Sequence, residues 1–309
     1  MPASSGAAFV RAPAKVNLYL RVLGRRPDGY HELDSLMFAV SLYDELTIQV
    51  NPSRRRAISC RVSGAERVAG GASNLAARAA AAMLEHLGVR CRVAIRLRKN
   101  VPFGAGLGGG SSDAAAVLRV LPRLLGRRLP AATLRAMALR LGADVPFFLT
   151  CRPARARGIG ERLSLVAGVP EGALAIVVPP SRVDTGWAYR TALPGLTSGR
   201  SVSRLPPLPR RLDAVDSWFF NDFGVGIERA VPEVRVCRER LSRLGARATV
   251  LSGSGSAVVG WFDDMAAAKA AASSFAPPDK AYAARILRSA PRPQSALAAA
   301  LENRGRNRG

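Results

Sequence analysis

Histidine and cysteine are scarce in this chain of 309 residues. There are two histidines, His31 and His86, and four cysteines, Cys60, Cys91, Cys151 and Cys237, with no CxxC pair. So thin a supply excludes a structural zinc cluster and a disulfide scaffold, and no metal site is expected from the side chains alone. No apolar run approaches the roughly 20 residues of a membrane-spanning helix, and residues 1–10 show no basic stretch ahead of a long apolar core, so neither a membrane span nor a signal peptide is expected. Aromatic residues are only 6% of the chain. Lysine is nearly missing too: of 46 basic residues only Lys15, Lys99, Lys269 and Lys280 are lysines, leaving 42 arginines.

What remains is a globular composition, 48% hydrophobic and 22% charged, long enough for two ordinary domains. The net charge of +24 taken alone points to a polyanion partner. The basic residues, however, are spread along the chain, with short clusters at 54–56 and 210–211, and are not interleaved with aromatics as a single-strand-binding groove requires. A joint excess of arginine and alanine is the signature of a GC-rich genome. No specific nucleic-acid partner is expected, although the charge still draws in anionic substrates. The expected setting is soluble and cytoplasmic, as a monomer or weak homodimer.

Period-2 alternation predicts a strand over 9–23, with Lys15 and Asn17 on the face opposite Val16, Leu18, Leu20 and Val22. Further strands are expected at 37–50, 57–62 and 93–98, with a helix at 72–87. A loop over 97–110 precedes a helix that should begin near Ser111, where Ser-Ser-Asp offers N-cap chemistry. Pro122 should kink or end that helix. Another helix fits 131–141, and 193–211 reads as a long surface loop. Then come a helix at 226–244, a strand at 246–251, a Gly/Ser turn at 252–256, a strand at 257–262, a helix at 264–274 and a strand at 281–287. Without a strict βαβ rhythm, the pattern favours α+β.

The segment 102–113 has five glycines in the seven positions 104–110. Such a loop lets backbone N–H groups turn toward an anion, and it runs into a helix start, where phosphate is favoured. It is neither a Walker A loop nor a Rossmann fingerprint. Lys15 stands out as a lysine in an arginine-rich chain, which marks a compact ammonium; Asn17 points the same way. Asp144 lies between a helix end and a Pro-Phe-Phe run, where an ionised carboxylate needs a partner or serves as a turn cap. A second small-residue turn spans 249–257. Tyr30 can stack on a flat ring and His31 can bond its edge, whereas Trp187 and Tyr189 read more readily as core residues. Cys60 and Cys91 read as buried apolar residues.

These segments, in this order, resemble the GHMP kinase superfamily. Pro13-Ala14-Lys15, the loop 102–112 and the turn 252–256 match its three motifs over about residues 9–287. Within it, 12–18, 26–33, 107–112, 142–147 and Asn221-Asp222 are similar to the branch acting on 4-diphosphocytidyl-2-C-methyl-D-erythritol. The resemblance implies a two-domain α+β fold: a ribosomal S5 domain 2-like N-terminal domain over 1–165, a ferredoxin-like C-terminal domain over 166–290, and a disordered tail, 291–309. It implies ATP- and Mg²⁺-dependent phosphorylation of the substrate's 2-hydroxyl, in isoprenoid biosynthesis. It makes Asp144 the catalytic aspartate and Lys15 its partner. It assigns the ATP phosphates to Pro102, Phe103, Gly104, Ala105, Gly106, Leu107, Gly108, Gly109, Gly110, Ser111 and Ser112, with Asn74 and Lys99 near the adenine. It assigns the cytidine substrate to Asn17, Tyr30, His31, Thr185 and Tyr189, the two tyrosines flanking the cytosine. Asp113 stands where several members carry Asn. The alternatives are a homoserine- or mevalonate-type kinase, a basic RNA-binding protein on the S5-like fold, and an inactive relative.

Overall fold

The structure, a computed structural model, describes residues 5–64, 68–191 and 218–296. Two long strands organise it. β1 (Gly6–Arg25) pairs antiparallel with β2 (His31–Pro52) along its whole length. The turn between them uses Pro27, Asp28 and Gly29; Tyr30 N donates to Asp28 Oδ1 at 3.1 Å, and Gly29 sits at φ +84°. β2 therefore begins six residues earlier than the expected 37–50. β4 (Cys91–Lys99) continues the sheet antiparallel to β2, and β3 (Ala57–Gly64) lies parallel to β4 at the edge.

Two helices cover one face of this sheet. α1 (Leu75–His86) connects β3 to β4, and α2 (Gly109–Leu124) follows β4. Ala76, Ala77, Ala79 and Ala80 of α1 and Ala114, Ala115 and Ala116 of α2 are buried in one cluster with Ile48, Val93 and Ile95 of the sheet. Small side chains at these positions let helices and strands approach closely. α3 (Ala131–Leu141) and the single turn α4 (Val145–Phe148) complete the layer. The hairpin of β5 (Ala154–Gly158) and β6 (Arg162–Leu165) adds to the sheet through β5, which pairs with β2.

The rest forms a β-α-β-β-α-β unit. β7 (Ala173–Val178) is its first strand; β9 (Ala248–Leu251), β10 (Val258–Phe262) and β11 (Lys280–Ala284) follow, in the order β11-β7-β10-β9. α6 (Gly224–Ala230) with α7 (Pro232–Arg243), and α8 (Met265–Ser273), are its helices, while α5 (Thr185–Thr191) follows β7. Asp264 caps α8 by accepting from Ala267 N. Two short strands from this half, β8 (Phe220–Asn221) and β12 (Gln294–Ser295), pair with β1 of the first sheet. Between the sheets, Val16, Leu18 and Phe38 meet Leu174, Ile176, Val259 and Trp261 in one buried cluster. That apolar seam fixes the halves against each other and sets the walls of the cleft described below.

Several expectations need correction. α2 starts at Gly109, not at Ser111: Gly108, at φ +68°, takes the cap position with no side-chain bond, and both serines fall inside the first turn. Pro122 lies inside α2, which ends two residues later at Leu124. The helix expected over 226–244 is two, because Pro232 opens a second one after Val231. β7 was missed because all six of its residues are buried, so no alternation marks it. Of the tail expected to be disordered, residues 291–296 are placed and β12 lies there; 297–309 lie outside the described residues, as does the loop at 193–211. All four cysteines are free and buried. Among the described residues no helix is long and apolar enough to cross a membrane.

Candidate active site

Between the two halves lies a cleft of about 1100 Å³. Its centre is the loop from β4 to α2. Gly104, Gly106 and Gly108 have φ of +71°, +75° and +68°, a region that glycine enters without penalty. At Gly106 the need is also steric: a Cβ there would lie 2.2 Å from the Ser252 carbonyl oxygen. The late turn thus packs directly on the loop, and Ala257 N donates to Ala105 O at 3.3 Å. On the other side Lys15 N donates to Leu107 O at 2.9 Å. The loop delivers the chain to the N-terminus of the 16-residue α2. Backbone N–H groups there have no side-chain cap and, with the helix dipole, form an anion site.

Lys15 is 5% exposed, and its ammonium faces Asp144 Oδ2 at 3.9 Å. It also donates to Asn17 Oδ1, while Asn17 Nδ2 donates to Ser35 Oγ at 2.7 Å. Asn17 was expected to touch substrate. It lines the cleft, but both ends of its amide are engaged, and its work in this geometry is to hold Lys15. Burial pushes the Lys15 ammonium below the ordinary lysine range, with Asp144 opposing the shift. Asp144 precedes α4, and about a third of its side chain is exposed to the cleft. A short, stiff Ala-Asp-Val-Pro segment thus presents a carboxylate to the open space while its neighbours Val145, Pro146, Phe147 and Phe148 are buried.

The two residues expected near an adenine are used otherwise. Asn74 caps α1: its Oδ1 accepts from Ala76 N at 2.9 Å and its Nδ2 donates to Ala69 O at 3.0 Å. It does not line the cleft. Lys99 reaches the cleft floor, but its ammonium lies between Asp44 and Asp113, 2.8 Å from Asp113 Oδ2. Asp44 Oδ1 in turn accepts from Asn100 N at 2.7 Å and Val101 N at 2.9 Å, which fixes the start of the glycine loop. Burial raises Asp113 to about 8, with Lys99 opposing and Asp44 adding to the shift. Neither aspartate was picked out as a site residue in the sequence, since nothing in spacing joins positions 44, 99 and 113.

At the other end Tyr30 is 61% exposed. His31 stacks on Tyr189, with ring centroids 4.7 Å apart and planes at 26°. Tyr189 also meets the edge of Phe223 at 4.8 Å. The expected arrangement, two tyrosines flanking a cytosine, is therefore modified: one face of Tyr189 is covered by His31. Burial, with Asp144 adding, pushes the Tyr189 hydroxyl up to about 12, and burial, with Arg25 adding, pushes His31 down. Thr185 Oγ1 lies 3.1 Å from Ser254 Oγ at the cleft wall. Loop residues Pro102 to Ser111 line the cleft; Ser112 is buried behind them and its Oγ has no partner. Phe103 is half exposed, with the Arg182 guanidinium 5.8 Å from its ring centre.

Gly253, Ser254, Arg25 and Arg190 also line the cleft, and nothing in the sequence marks them as site residues. The late turn is visible in the sequence, but a single turn of small residues is weak evidence. Asn221 explains how that turn is held: its Nδ2 donates to Leu251 O at 2.7 Å and Gly253 O at 2.8 Å. Among the described residues no group of three or more His, Cys, Asp or Glu could hold a metal ion.

A glycine loop on a helix N-terminus, with a lysine and an aspartate facing across the same cleft, defines a phosphotransferase site. Residues 74–152 match the GHMP kinases N terminal domain and 213–288 match GHMP kinases C terminal, and the chain belongs to this family. It is 42% identical over 261 residues to 4-diphosphocytidyl-2-C-methyl-D-erythritol kinase of Syntrophotalea carbinolica, spanning 84% of this chain and 91% of that protein. A crystal structure of 4-(cytidine 5'-diphospho)-2C-methyl-D-erythritol kinase superposes with a TM-score of 0.73 at 40% identity, covering 90% of this chain and 98% of that one. Homoserine kinase from Cytophaga hutchinsonii, at 20% identity and a TM-score of 0.65 over 93% of this chain and 97% of that one, shares the fold.

Proposed function

We propose that this ATP-dependent kinase phosphorylates the 2-hydroxyl of 4-diphosphocytidyl-2-C-methyl-D-erythritol, a step of isoprenoid biosynthesis. The observation that carries the reading is the 3.9 Å pair of Lys15 and Asp144 beside the glycine loop, in one cleft with Tyr30, His31 and Tyr189. Phosphoryl transfer needs positioning and charge stabilisation more than covalent chemistry. The loop amides and the α2 N-terminus hold the phosphates of ATP. Asp144 accepts the proton of the attacking hydroxyl. Lys15, oriented by Asn17, faces the Asp144 carboxylate and meets charge that develops on the transferred group. His31, Tyr189 and exposed Tyr30 supply flat surfaces for a pyrimidine.

Mg²⁺ fits as an ion carried chiefly by the phosphates, since such sites use few protein ligands. The Ser112 hydroxyl, buried without a partner in the first turn of α2, and the Ser111 hydroxyl lining the cleft are the oxygens that would hold it. The ion would neutralise charge on the phosphates. The reading further takes 1–165 and 166–290 as the two domains and the cytoplasm as the setting.

The test is Mg-ATP-dependent ADP release with the cytidyl substrate beside homoserine and mevalonate. Turnover on the cytidyl compound alone, lost in Asp144→Asn, is the expected result. Turnover on another alcohol would keep the ATP loop and discard the pyrimidine assignment of Tyr30, His31 and Tyr189. Salt-sensitive RNA binding with no ADP release would put the chain outside catalysis altogether.

A further inference from the structure

A second cavity, of about 1180 Å³, lies on the outer side of α2, α3, α4 and β6, away from the glycine loop. Of its 19 lining residues six are arginines, against 42 in the whole chain of 309. Arg119 donates to Pro291 O and is held by the fold. Arg123, Arg127, Arg128, Arg135 and Arg152 are exposed, and none meets a carboxylate among the described residues. The single acidic lining residue, Glu161, is already engaged, accepting from Ile159 N at 2.7 Å.

Inside this cationic ring the surface is apolar. Leu134, Leu149 and Leu163 are half-buried on the floor, and Leu139 and Leu165 are exposed at 42% and 57%. Exposed leucines gathered in a concavity mark a binding surface more than a solvated one. Arginine forks suit phosphate oxygens, and their stems extend the apolar wall.

We infer that this groove is a binding site for an amphiphilic anion: one apolar chain on the leucine floor, with a phosphate or diphosphate head among Arg123, Arg127, Arg128, Arg135 and Arg152. A concave groove of this size takes one such chain whole, whereas a bilayer surface is met by protruding apolar residues. The site is distinct from the cleft, and its wall residues Pro146 and Leu149 belong to the segment that begins just after Asp144.

The test is calorimetric titration of the full chain with dodecyl phosphate below its micellar concentration, butyl phosphate and inorganic phosphate. A saturating non-hydrolysable ATP analogue keeps the cleft filled. One dodecyl phosphate per chain is expected, bound more tightly than butyl phosphate, with inorganic phosphate weakest. Arg127→Glu with Arg135→Glu should weaken dodecyl phosphate about tenfold or more, since a charge-assisted bond to phosphate is worth that much. Leu139→Ser with Leu165→Ser should weaken dodecyl phosphate and leave butyl phosphate unchanged. All four positions are exposed, and retained ATP-analogue affinity verifies the fold of each variant. Binding that the ATP analogue abolishes, or that ignores both double variants, overturns the site. So does binding to phosphatidylglycerol vesicles with none to free dodecyl phosphate, which would make the patch a membrane contact.

Discussion

Lys15 and Asp144 face each other at 3.9 Å across the cleft, and only the lysine is buried. The asymmetry divides their work. The exposed carboxylate is free to meet a hydroxyl, while the buried ammonium is held in place by Asn17. Asp144→Asn should keep the fold and nucleotide affinity and lower kcat by about 10²- to 10⁴-fold, the usual range for losing a general base. Steady-state rates beside nucleotide binding read both. A mutant with near-normal kcat would remove Asp144 from proton transfer.

The same burial makes Lys15 a cost to stability. Its folded pKa lies below the ordinary 10.5, so at neutral pH the unfolded chain holds the proton more readily than the folded one. As pH rises past the folded value toward 10.5 that penalty fades and the protein gains stability. Lys15→Met, with similar length and no charge, should abolish turnover yet hold or raise Tm at pH 7, with the advantage shrinking as the pH approaches 10.5. Thermal melts at pH 7 and pH 10 test this; a Tm well below wild type at pH 7 would show that the ammonium stabilises the fold.

Under the glycine loop the sign is opposite. Asp113, raised to about 8 by burial, keeps its proton in the folded chain at pH values where the unfolded chain has released it. Stability therefore falls as pH rises from the ordinary 3.8 to about 8 and is flat above. Asp113→Asn should remove that slope and be the more stable form at pH 8. Lys99→Met instead strands the buried Asp44 carboxylate without its cation, at an expected cost of about 3–5 kcal/mol, with a raised KM for ATP because Asp44 anchors the loop. Denaturant titrations across pH 4–9 separate the two variants.

How much of this was legible in the sequence depended on whether the cause was local. The glycine loop, the strand carrying Lys15 and the Asp144 turn are short-range patterns, and the β-rich, helix-broken order was readable from periodicity. Asp44 could not be linked to Lys99 and Asp113, because a buried charge cluster is made by the register of β2 on β4 and leaves no spacing rule. Asn74 was read as a ligand contact when it is a helix cap, a role that Asn fills as often as any residue. β7 escaped because full burial erases alternation, and the start of α2 was misplaced because glycine, not serine, takes its cap.

Tyr30 and Tyr189 should behave differently when shortened. Tyr189 packs on His31 and Phe223, so Tyr189→Ala disturbs the free protein. Tyr30 is 61% exposed and makes no ring contact among the described residues. Tyr30→Ala should leave Tm unchanged and raise KM for the cytidyl substrate about tenfold, as expected for loss of one aromatic–base stack of ~1–3 kcal/mol. KM for ATP should not move. An unchanged KM for the cytidyl substrate would place the pyrimidine elsewhere in the cleft.

Gly106 offers a test in which conformation and contact come apart. Gly106 and Gly71 share a φ of +75°, but a Cβ on Gly71 would meet nothing within 4 Å, whereas one on Gly106 would lie 2.2 Å from the Ser252 carbonyl oxygen. Gly71→Ala should cost only the left-handed backbone penalty, about 1–2 kcal/mol. Gly106→Ala carries the same penalty and must also push the loop off the late turn, because the obstacle is backbone and cannot rotate away. Its stability loss should exceed that of Gly71→Ala, and its affinity for ATP should fall while Gly71→Ala binds as wild type. Equal losses in the two variants would mean that the loop and the turn 252–256 separate freely, and that their contact does not shape the phosphate site.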